Sequence, residues 1–176
     1  DNSRPIVVEL TQDITDWTNK DVTVTIKTST DCVAPEGWKQ VNKRTFTKVF
    51  NANGEYSVTL TSVTGVTGDA HLFSITNIDK EAPVIDYAAI ESANGYRKEI
   101  PVNEGEEYTE EKLVEMFTKP EWVSDNSGTA TFKVDKWGLE HGLDGYQPFT
   151  SKTPGEYKVR FYAYDAAGNN SSFDVY

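Results

Sequence analysis

Apolar and polar residues alternate along much of the chain, in short segments rich in Thr and Val. Residues 21–27 show this most clearly, because Val22, Val24 and Ile26 fall on one face and threonines on the other. A period of two in β-branched residues predicts a half-buried strand. The pattern starts at Ile6, and similar segments predict strands at 45–50, 55–61, 72–78, 84–90, 129–134, 157–164 and 172–176. Asn-Gly, Ser-Gly and Pro-Gly pairs predict tight turns between them, so we expect an all-β fold built as antiparallel sandwiches.

One segment departs from this alternation and predicts a short helix at about 110–118. Leu113, Met116 and Phe117 recur at helical spacing. Thr109 is placed to cap the N-terminus of the helix, and a proline follows soon after its last turn. We therefore expect one helix, inserted between strands of the second half.

The two halves of the chain share a motif near their ends. Residues 54–60 read Gly-Glu-Tyr-Ser-Val-Thr-Leu, and residues 155–161 read Gly-Glu-Tyr-Lys-Val-Arg-Phe. In each half the motif places a turn before a strand, and one more predicted strand follows. Internal similarity of this kind indicates duplicated architecture. We therefore predict two consecutive domains, 1–79 and 80–176.

The segment between the two halves has the composition of a stiff linker. Residues 77–84 read Asn-Ile-Asp-Lys-Glu-Ala-Pro-Val, with three charges, one proline and no Gly/Ser-rich stretch. Such a linker is short and restricts bending. We expect the two domains to form a rod with a restricted joint.

Composition and charge exclude two classes of interaction. The chain has 176 residues, of which 37% are hydrophobic, and a net charge of -11. Residues 81–176 hold 18 acidic and 9 basic residues, so this half carries -9. Such acidity argues against a nucleic-acid partner, which calls for a basic face. No apolar run approaches the ~20 residues that a membrane helix needs, so we expect no membrane insertion.

The first residues predict that the chain comes from a longer precursor, and the single cysteine limits the covalent and metal chemistry that is possible. The sequence starts without Met and without a basic segment followed by an apolar one. We therefore expect a piece of a longer precursor, with any export signal outside it. Cys32 alone permits neither an intrachain disulfide nor a cysteine-based zinc site, and it is expected to be a small buried apolar residue.

Several stretches, spread over nearly the whole chain, carry a family resemblance. Residues 16–25 read Asp-Trp-Thr-Asn-Lys-Asp-Val-Thr-Val-Thr, residues 77–83 close the first half, and Gly37-Trp38 lies between them. In the second half, residues 125–130 read Asp-Asn-Ser-Gly-Thr-Ala and residues 164–169 read Tyr-Asp-Ala-Ala-Gly-Asn. Together these stretches resemble the tandem immunoglobulin-like modules of bacterial, mostly Gram-positive, secreted and surface-anchored proteins. The first half departs from the pattern at 64–68, where the Asp-x-Ala-Gly-Asn corner is replaced.

The resemblance implies a fold and a role. The fold is two consecutive immunoglobulin-like sandwiches, the second with the helix inserted at about 110–118. Modules of this family act as spacers, stalks or interaction modules, including in cell adhesion, within extracellular proteins that are secreted or attached to the cell wall. The implied partners are neighbouring domains of the same polypeptide, with a glycan or a host- or cell-surface protein as further candidates.

The sequence contains no recognisable catalytic motif. Its two histidines, His71 and His141, fall in different predicted domains, and neither sits in a nucleophile motif. Nucleophilic catalysis needs a nucleophile, a base and an orienting group brought together. Phosphate-binding, dinucleotide-binding and zinc-protease motifs are also absent from the sequence. We therefore expect no enzyme activity and no cofactor.

Two Asp-containing turns raise the question of a metal. The sequences that begin at Asp125 and Asp165 supply the oxygen ligands that calcium prefers. Asp and Asn next to Gly are also what tight turns require for local hydrogen bonds and positive φ. We favour the turn interpretation and predict no metal site. Calcium at these turns remains an alternative. A separate alternative, not tied to these turns, is an internal crosslink between a Lys and an Asn side chain.

An aromatic, Gly-rich segment suggests a second function. Sugar rings stack on exposed aromatic faces while a few polar groups hold the hydroxyls, and loops present such side chains. The segment 137–146 contains the candidate ligand-binding residues Trp137, His141, Asp144 and Tyr146. The alternative function is therefore a carbohydrate-binding module. The remaining tryptophans are expected to fill the cores: Trp17, Trp38 and Trp122.

Overall fold

The architecture is mostly antiparallel β-structure. A computed structural model describes residues 3–95, 100, 105–106, 108–141 and 157–176, and for residues 110, 134–141 and 157 it describes the backbone alone. Its elements are β1 (Val7–Gln12), β2 (Val22–Thr28), β3 (Cys32–Val33), β4 (Lys39–Asn42), β5 (Thr45–Phe50), β6 (Gly54–Val58), β7 (Thr61–Ser62), β8 (His71–Ile75), β9 (Val84–Ile85), α1 (Tyr87–Asn94), α2 (Glu110–Phe117), a 3-10 turn (Pro120–Trp122), β10 (Val123–Ser124), β11 (Thr131–His141), β12 (Tyr157–Tyr164) and β13 (Asn170–Val175). All pairings between these strands are antiparallel, which confirms the all-β prediction.

The chain divides into two compact units, 1–80 and 81–176. Each unit contains its own cluster of buried apolar residues. Burial of apolar surface is the main favourable term in folding, so each unit has its own source of stability. The prediction that they are separate immunoglobulin-like domains remains a prediction.

Unit 1 is built around a four-stranded sheet in the order β1-β2-β5-β4. The alternation predicted for β2 is confirmed, because Val22, Val24 and Ile26 are fully buried. Their register places Ile26 opposite Phe46 on β5. The same core includes Val58 from the β6–β8 pair, so this pair packs on the inner face of the sheet.

Aromatic rings fill one part of the unit 1 core. Phe50 packs edge-on against Trp38 at a centroid distance of 6.1 Å and against Tyr56 at 4.6 Å, and Phe73 stacks on Tyr56 at 5.9 Å. Trp38 is 8% exposed, so its predicted core position is confirmed. The same prediction is wrong for Trp17, which is only partly buried.

The first helix of unit 2 is one that the alternation pattern does not predict. The strand predicted at 84–90 is wrong beyond residue 85, where β9 ends and α1 follows. Asp86 caps α1 by accepting a hydrogen bond from the Ala89 backbone N–H at 3.0 Å. Gly95 ends it with φ +75°, a left-handed conformation that favours glycine. The prediction of a single helix in the second half is therefore wrong, because α1 is present in addition to α2.

The predicted second-half helix is confirmed as α2. Thr109 accepts a hydrogen bond from the Lys112 backbone N–H at 3.1 Å and so caps the first turn. Leu113 and Phe117 are buried, and Phe117 packs on Phe161 with ring centroids 5.4 Å apart. The amphipathic pattern thus identifies the face that joins the core.

The second half also contains a three-stranded sheet in the order β11-β12-β13. On β12, Val159, Phe161 and Ala163 are buried, and Phe161 lies opposite Phe173 of β13. Alternate residues of β12 therefore point away from the core. These outward positions, even-numbered along β12, are occupied by Lys158, Arg160, Tyr162 and Tyr164.

Candidate functional site

The aromatic segment predicted as a loop is partly a strand. Trp137 and His141 belong to β11, which continues to residue 141 instead of ending near 134. The pairing of β11 with β12 shifts register between Val134 and Leu139, where residues 135–138 lie opposite Arg160 alone. The loop prediction is therefore wrong for residues 137–141.

The structure does not describe how the side chains of the four predicted ligand-binding residues are arranged. The backbone of Trp137 and His141 is described, but their side chains are not. Asp144 and Tyr146 lie outside the described residues. The proposal that these four residues form a sugar-binding platform therefore remains a prediction.

The turn at Asp125 is closed by its own side chain. Asp125 Oδ2 accepts hydrogen bonds from the Ser127 backbone N–H at 2.9 Å and from the Ser127 hydroxyl. The Gly128 N–H donates to the Asp125 carbonyl at 3.0 Å, and Gly128 has φ +72°. This is the local hydrogen bonding that favours Asp and Gly in turns.

The turn at Asp165 is closed in a related way. Asp165 is buried, and its carboxylate accepts from the Asn169 backbone N–H and from the Asn169 side-chain amide, both at 2.9 Å. The Asp165 N–H donates to the Asn169 carbonyl at 3.1 Å, and Gly168 has φ +91°. The prediction that these residues form a tight turn therefore accounts for Asp165, Gly168 and Asn169.

Thr129 joins the two turns. Its hydroxyl accepts from the Ala166 backbone N–H at 2.9 Å and shares a hydrogen bond with the Ser127 hydroxyl at 2.6 Å. One carboxylate oxygen of Asp125 consequently lies within 4.8 Å of one of Asp165. The two stretches that carry the family resemblance in the second half are thus neighbours within one unit.

A second group of polar and aromatic side chains lies on the outward face of β12. Arg160 forms a bidentate pair with Asp174 of β13, with Nε–Oδ1 2.7 Å and Nη2–Oδ2 3.2 Å. Hydrogen bonds to Asp174, and then to Tyr162, raise the pKa of Arg160 above its ordinary value. In return the Arg160 guanidinium lowers the pKa of Asp174 below 3.8, against the opposing effect of burial.

Two tyrosine rings lie beside this ion pair. The Tyr162 and Tyr164 rings are 5.8 Å apart between centroids and are tilted by 32°. The Lys133 ammonium lies over the Tyr164 ring, 5.8 Å from its centroid. Sequence reasoning identified the strand but not this face. The available signal was the run of polar and aromatic residues at alternate positions 158, 160, 162 and 164.

Two further observations bear on the class of protein. Neither helix in the described part of the chain is long and apolar enough to cross a membrane. No protein-family model matches the chain, and no curated protein matches its sequence. The resemblance to bacterial immunoglobulin-like modules therefore rests on the quoted sequence stretches.

Proposed function

We propose that this chain is a tandem of immunoglobulin-like sandwiches from an exported bacterial surface or secreted protein. Its role is that of a semi-rigid spacer, stalk or interaction module, without catalysis. The antiparallel sheets and the separate core of each unit support this proposal. Its partners are the neighbouring domains of the same polypeptide, together with a glycan or a cell-surface protein.

The observation that carries the proposal is the short connection between the two units. In unit 1 the Asn77 side chain donates to the carbonyls of Ile14 and Asp16, and the Lys80 ammonium pairs with Asp21 at 2.5 Å. These contacts hold the end of the unit up to its last residue.

The other end of the connection is held within unit 2. The Pro83 carbonyl accepts a hydrogen bond from the Ser171 hydroxyl at 2.5 Å, and Val84 begins β9. Only two residues, Glu81 and Ala82, separate Lys80 from Pro83 along the chain. So short a connection, next to a proline, has few conformations to sample, which supports a restricted joint.

Small-angle X-ray scattering tests the proposed joint. We expect the unaltered chain to give a narrow distribution of dimensions, and a Gly-Ser-Gly-Ser insertion between Glu81 and Ala82 to broaden it. The same insertion between Gly65 and Val66, in an exposed turn of unit 1, is the matched control and should leave the distribution narrow. An unaltered chain as broadly distributed as the linker variant would contradict the spacer proposal.

A further inference from the structure

The outward side of the β11-β12-β13 sheet differs in chemistry from the rest of its unit. We call this surface the tyrosine face; its described members are Thr131, Lys133, Lys158, Arg160, Tyr162, Tyr164, Asn170, Ser172 and Asp174. The register places Tyr162 between Lys133 and Ser172, and Tyr164 between Thr131 and Asn170. Two aromatic rings are thus flanked on both sides by exposed groups that can form hydrogen bonds.

The described side chains of the tyrosine face carry a net charge opposite in sign to that of the surrounding half. Its described members include three bases, Lys133, Lys158 and Arg160, and one acid, Asp174. Glu140 lies at the register position opposite Lys158, and Asp135 and Lys136 also belong to β11, but the side chains of these three residues are not described. The described side chains of the face are net positive. Residues 81–176 as a whole carry -9, with 18 acids and 9 bases. A local reversal of sign favours an anionic partner.

Lys133 is the cation best placed for such a partner. Asp174 already engages Arg160, and Lys158 also acts on Asp174, lowering its pKa. Lys133 is exposed, its ammonium lies over the Tyr164 ring, and it forms no ion pair with the residues that the structure describes. Its ammonium therefore offers charge next to an aromatic surface.

The shared motif indicates that this chemistry is not required by the fold. In unit 1 the positions that match Lys158 and Arg160 are Ser57 and Thr59. The inward residues of the two motifs are apolar in both halves, whereas the two cations occur in the second half alone. Sheet formation by itself therefore does not account for them.

We propose that the tyrosine face binds an acidic polysaccharide, a glycan chain that contains uronic acid residues. Sugar rings stack on Tyr162 and Tyr164, since tyrosine supplies a rigid surface that is apolar on its face and polar at its tip. Lys133 pairs with a uronate carboxylate, and hydroxyl and amide groups of the flanking strands bind sugar hydroxyls. This site is distinct from the aromatic segment at 137–146 and does not depend on the spacer role.

Affinity electrophoresis in native gels that contain polygalacturonate tests the proposal. Methyl-esterified polygalacturonate is the matched polymer, because it has the same backbone without the negative charge. The protein and polygalacturonate are both acidic, so non-specific ion exchange does not favour retardation. We expect the full chain to be retarded by polygalacturonate and several-fold less by the esterified polymer, with retardation weakening as salt is added.

Variants identify the residues that bind. The double variant Tyr162→Ala/Tyr164→Ala should weaken the apparent association by about tenfold, whereas Tyr162→Phe/Tyr164→Phe, which keeps both rings, should retain it. Lys133→Glu should weaken it by about threefold or more. Lys39→Glu, an equal charge change at an exposed position of β4, should have little effect. Circular dichroism confirms that each variant is folded, and the Lys133/Lys39 comparison carries the test if the alanine variant is not.

Three results would overturn the proposal. The first is equal mobility of the full chain with and without polygalacturonate. The second is equal retardation by the charged and esterified polymers, which would remove the assignment to an acidic glycan. The third is retardation that survives Tyr162→Ala/Tyr164→Ala but is lost in Trp137→Ala, which would move the site to the aromatic segment.

Discussion

The side-chain amide of Asn53 pairs with the backbone of Ile78 in both directions. Asn53 Nδ2 donates to the Ile78 carbonyl at 2.8 Å, and Asn53 Oδ1 accepts from the Ile78 N–H at 2.9 Å. The two residues are 25 positions apart, so the turn before β6 holds the last segment of unit 1 in place. The amide acts as a strand would, by satisfying a backbone donor and acceptor together.

Replacement of Asn53 should loosen the end of unit 1. Asn53→Ala leaves the Ile78 donor and acceptor without these partners, and we expect a loss of about 1–3 kcal/mol in the free energy of unfolding. Asn51→Ala, at an exposed position on the same turn, should change it by less than about 0.5 kcal/mol. Urea denaturation of both variants measures the difference. Equal stability of the two variants would contradict this role for Asn53.

The two ends of α1 should each contribute measurably to unit 2. Asp86→Ala removes the N-cap and should cost about 1 kcal/mol. Gly95→Ala forces a side chain into a left-handed conformation and should cost about 1–2 kcal/mol. Ser92→Ala, at an exposed position in the last turn of the helix, should be neutral or slightly stabilising because alanine favours helix. Denaturation followed by far-UV circular dichroism distinguishes these outcomes, and a stabilising Gly95→Ala would contradict the cap assignment.

The Arg160–Asp174 pair should make stability depend on pH in the acid range. Because Arg160 lowers the pKa of folded Asp174 below 3.8, the pair stabilises the fold above that pH. The contribution is lost as pH falls through the lowered pKa of Asp174. At neutral pH we expect Asp174→Asn to cost about 1 kcal/mol or less, since the pair is partly exposed.

The difference in free energy of unfolding between the unaltered chain and Asp174→Asn should shrink when the pH is lowered below 3.8 and towards the folded pKa of Asp174. Urea denaturation of the unaltered chain and of Asp174→Asn at a series of pH values measures it. Glu55→Gln, on the exposed side of β6, corrects for the general effect of removing an acid. A difference between the two proteins that grows as the pH falls would contradict the assignment.

The predicted aromatic segment can be tested separately from the tyrosine face. The prediction for Trp137 requires retardation in gels that contain a neutral soluble polysaccharide, and loss of that retardation in Trp137→Ala. Trp17→Phe, in unit 1, is the control and should behave as the unaltered chain. Equal mobility of the unaltered chain and Trp137→Ala across a panel of neutral polysaccharides would remove this site.

Much of the β-structure was predictable because burial alternates with the period of a strand. The segments at 45–50 and 157–164 are strands with the predicted bounds. The failure at 84–90 has a local cause: Val84 and Ile90 fit one face of a strand, but the Asp86 side chain binds the Ala89 N–H and starts a helix instead. The cap and the alanines were visible signals, and they outweigh the apolar pattern there.

The candidate sites were less predictable, because they depend on register between strands far apart in sequence. Tyr162 and Tyr164 lie in a correctly predicted strand, but their position beside Lys133 depends on how β11 pairs with β12. The link between the Asp125 and Asp165 turns likewise requires the contact of Thr129 with Ala166, 37 residues away. Periodicity gives the face of a residue and not its neighbours on other strands.

The central claim is that each unit is stabilised by its own core, and hydrogen exchange followed by mass spectrometry tests it most directly. Phe46 in unit 1 and Phe161 in unit 2 are both fully buried, and replacing either by Ala should cost about 3–5 kcal/mol. Phe46→Ala should speed backbone exchange in peptides from 3–80 and leave peptides from 108–141 and 157–176 unchanged; Phe161→Ala should do the reverse. Loss of protection across both units in either variant would contradict the claim.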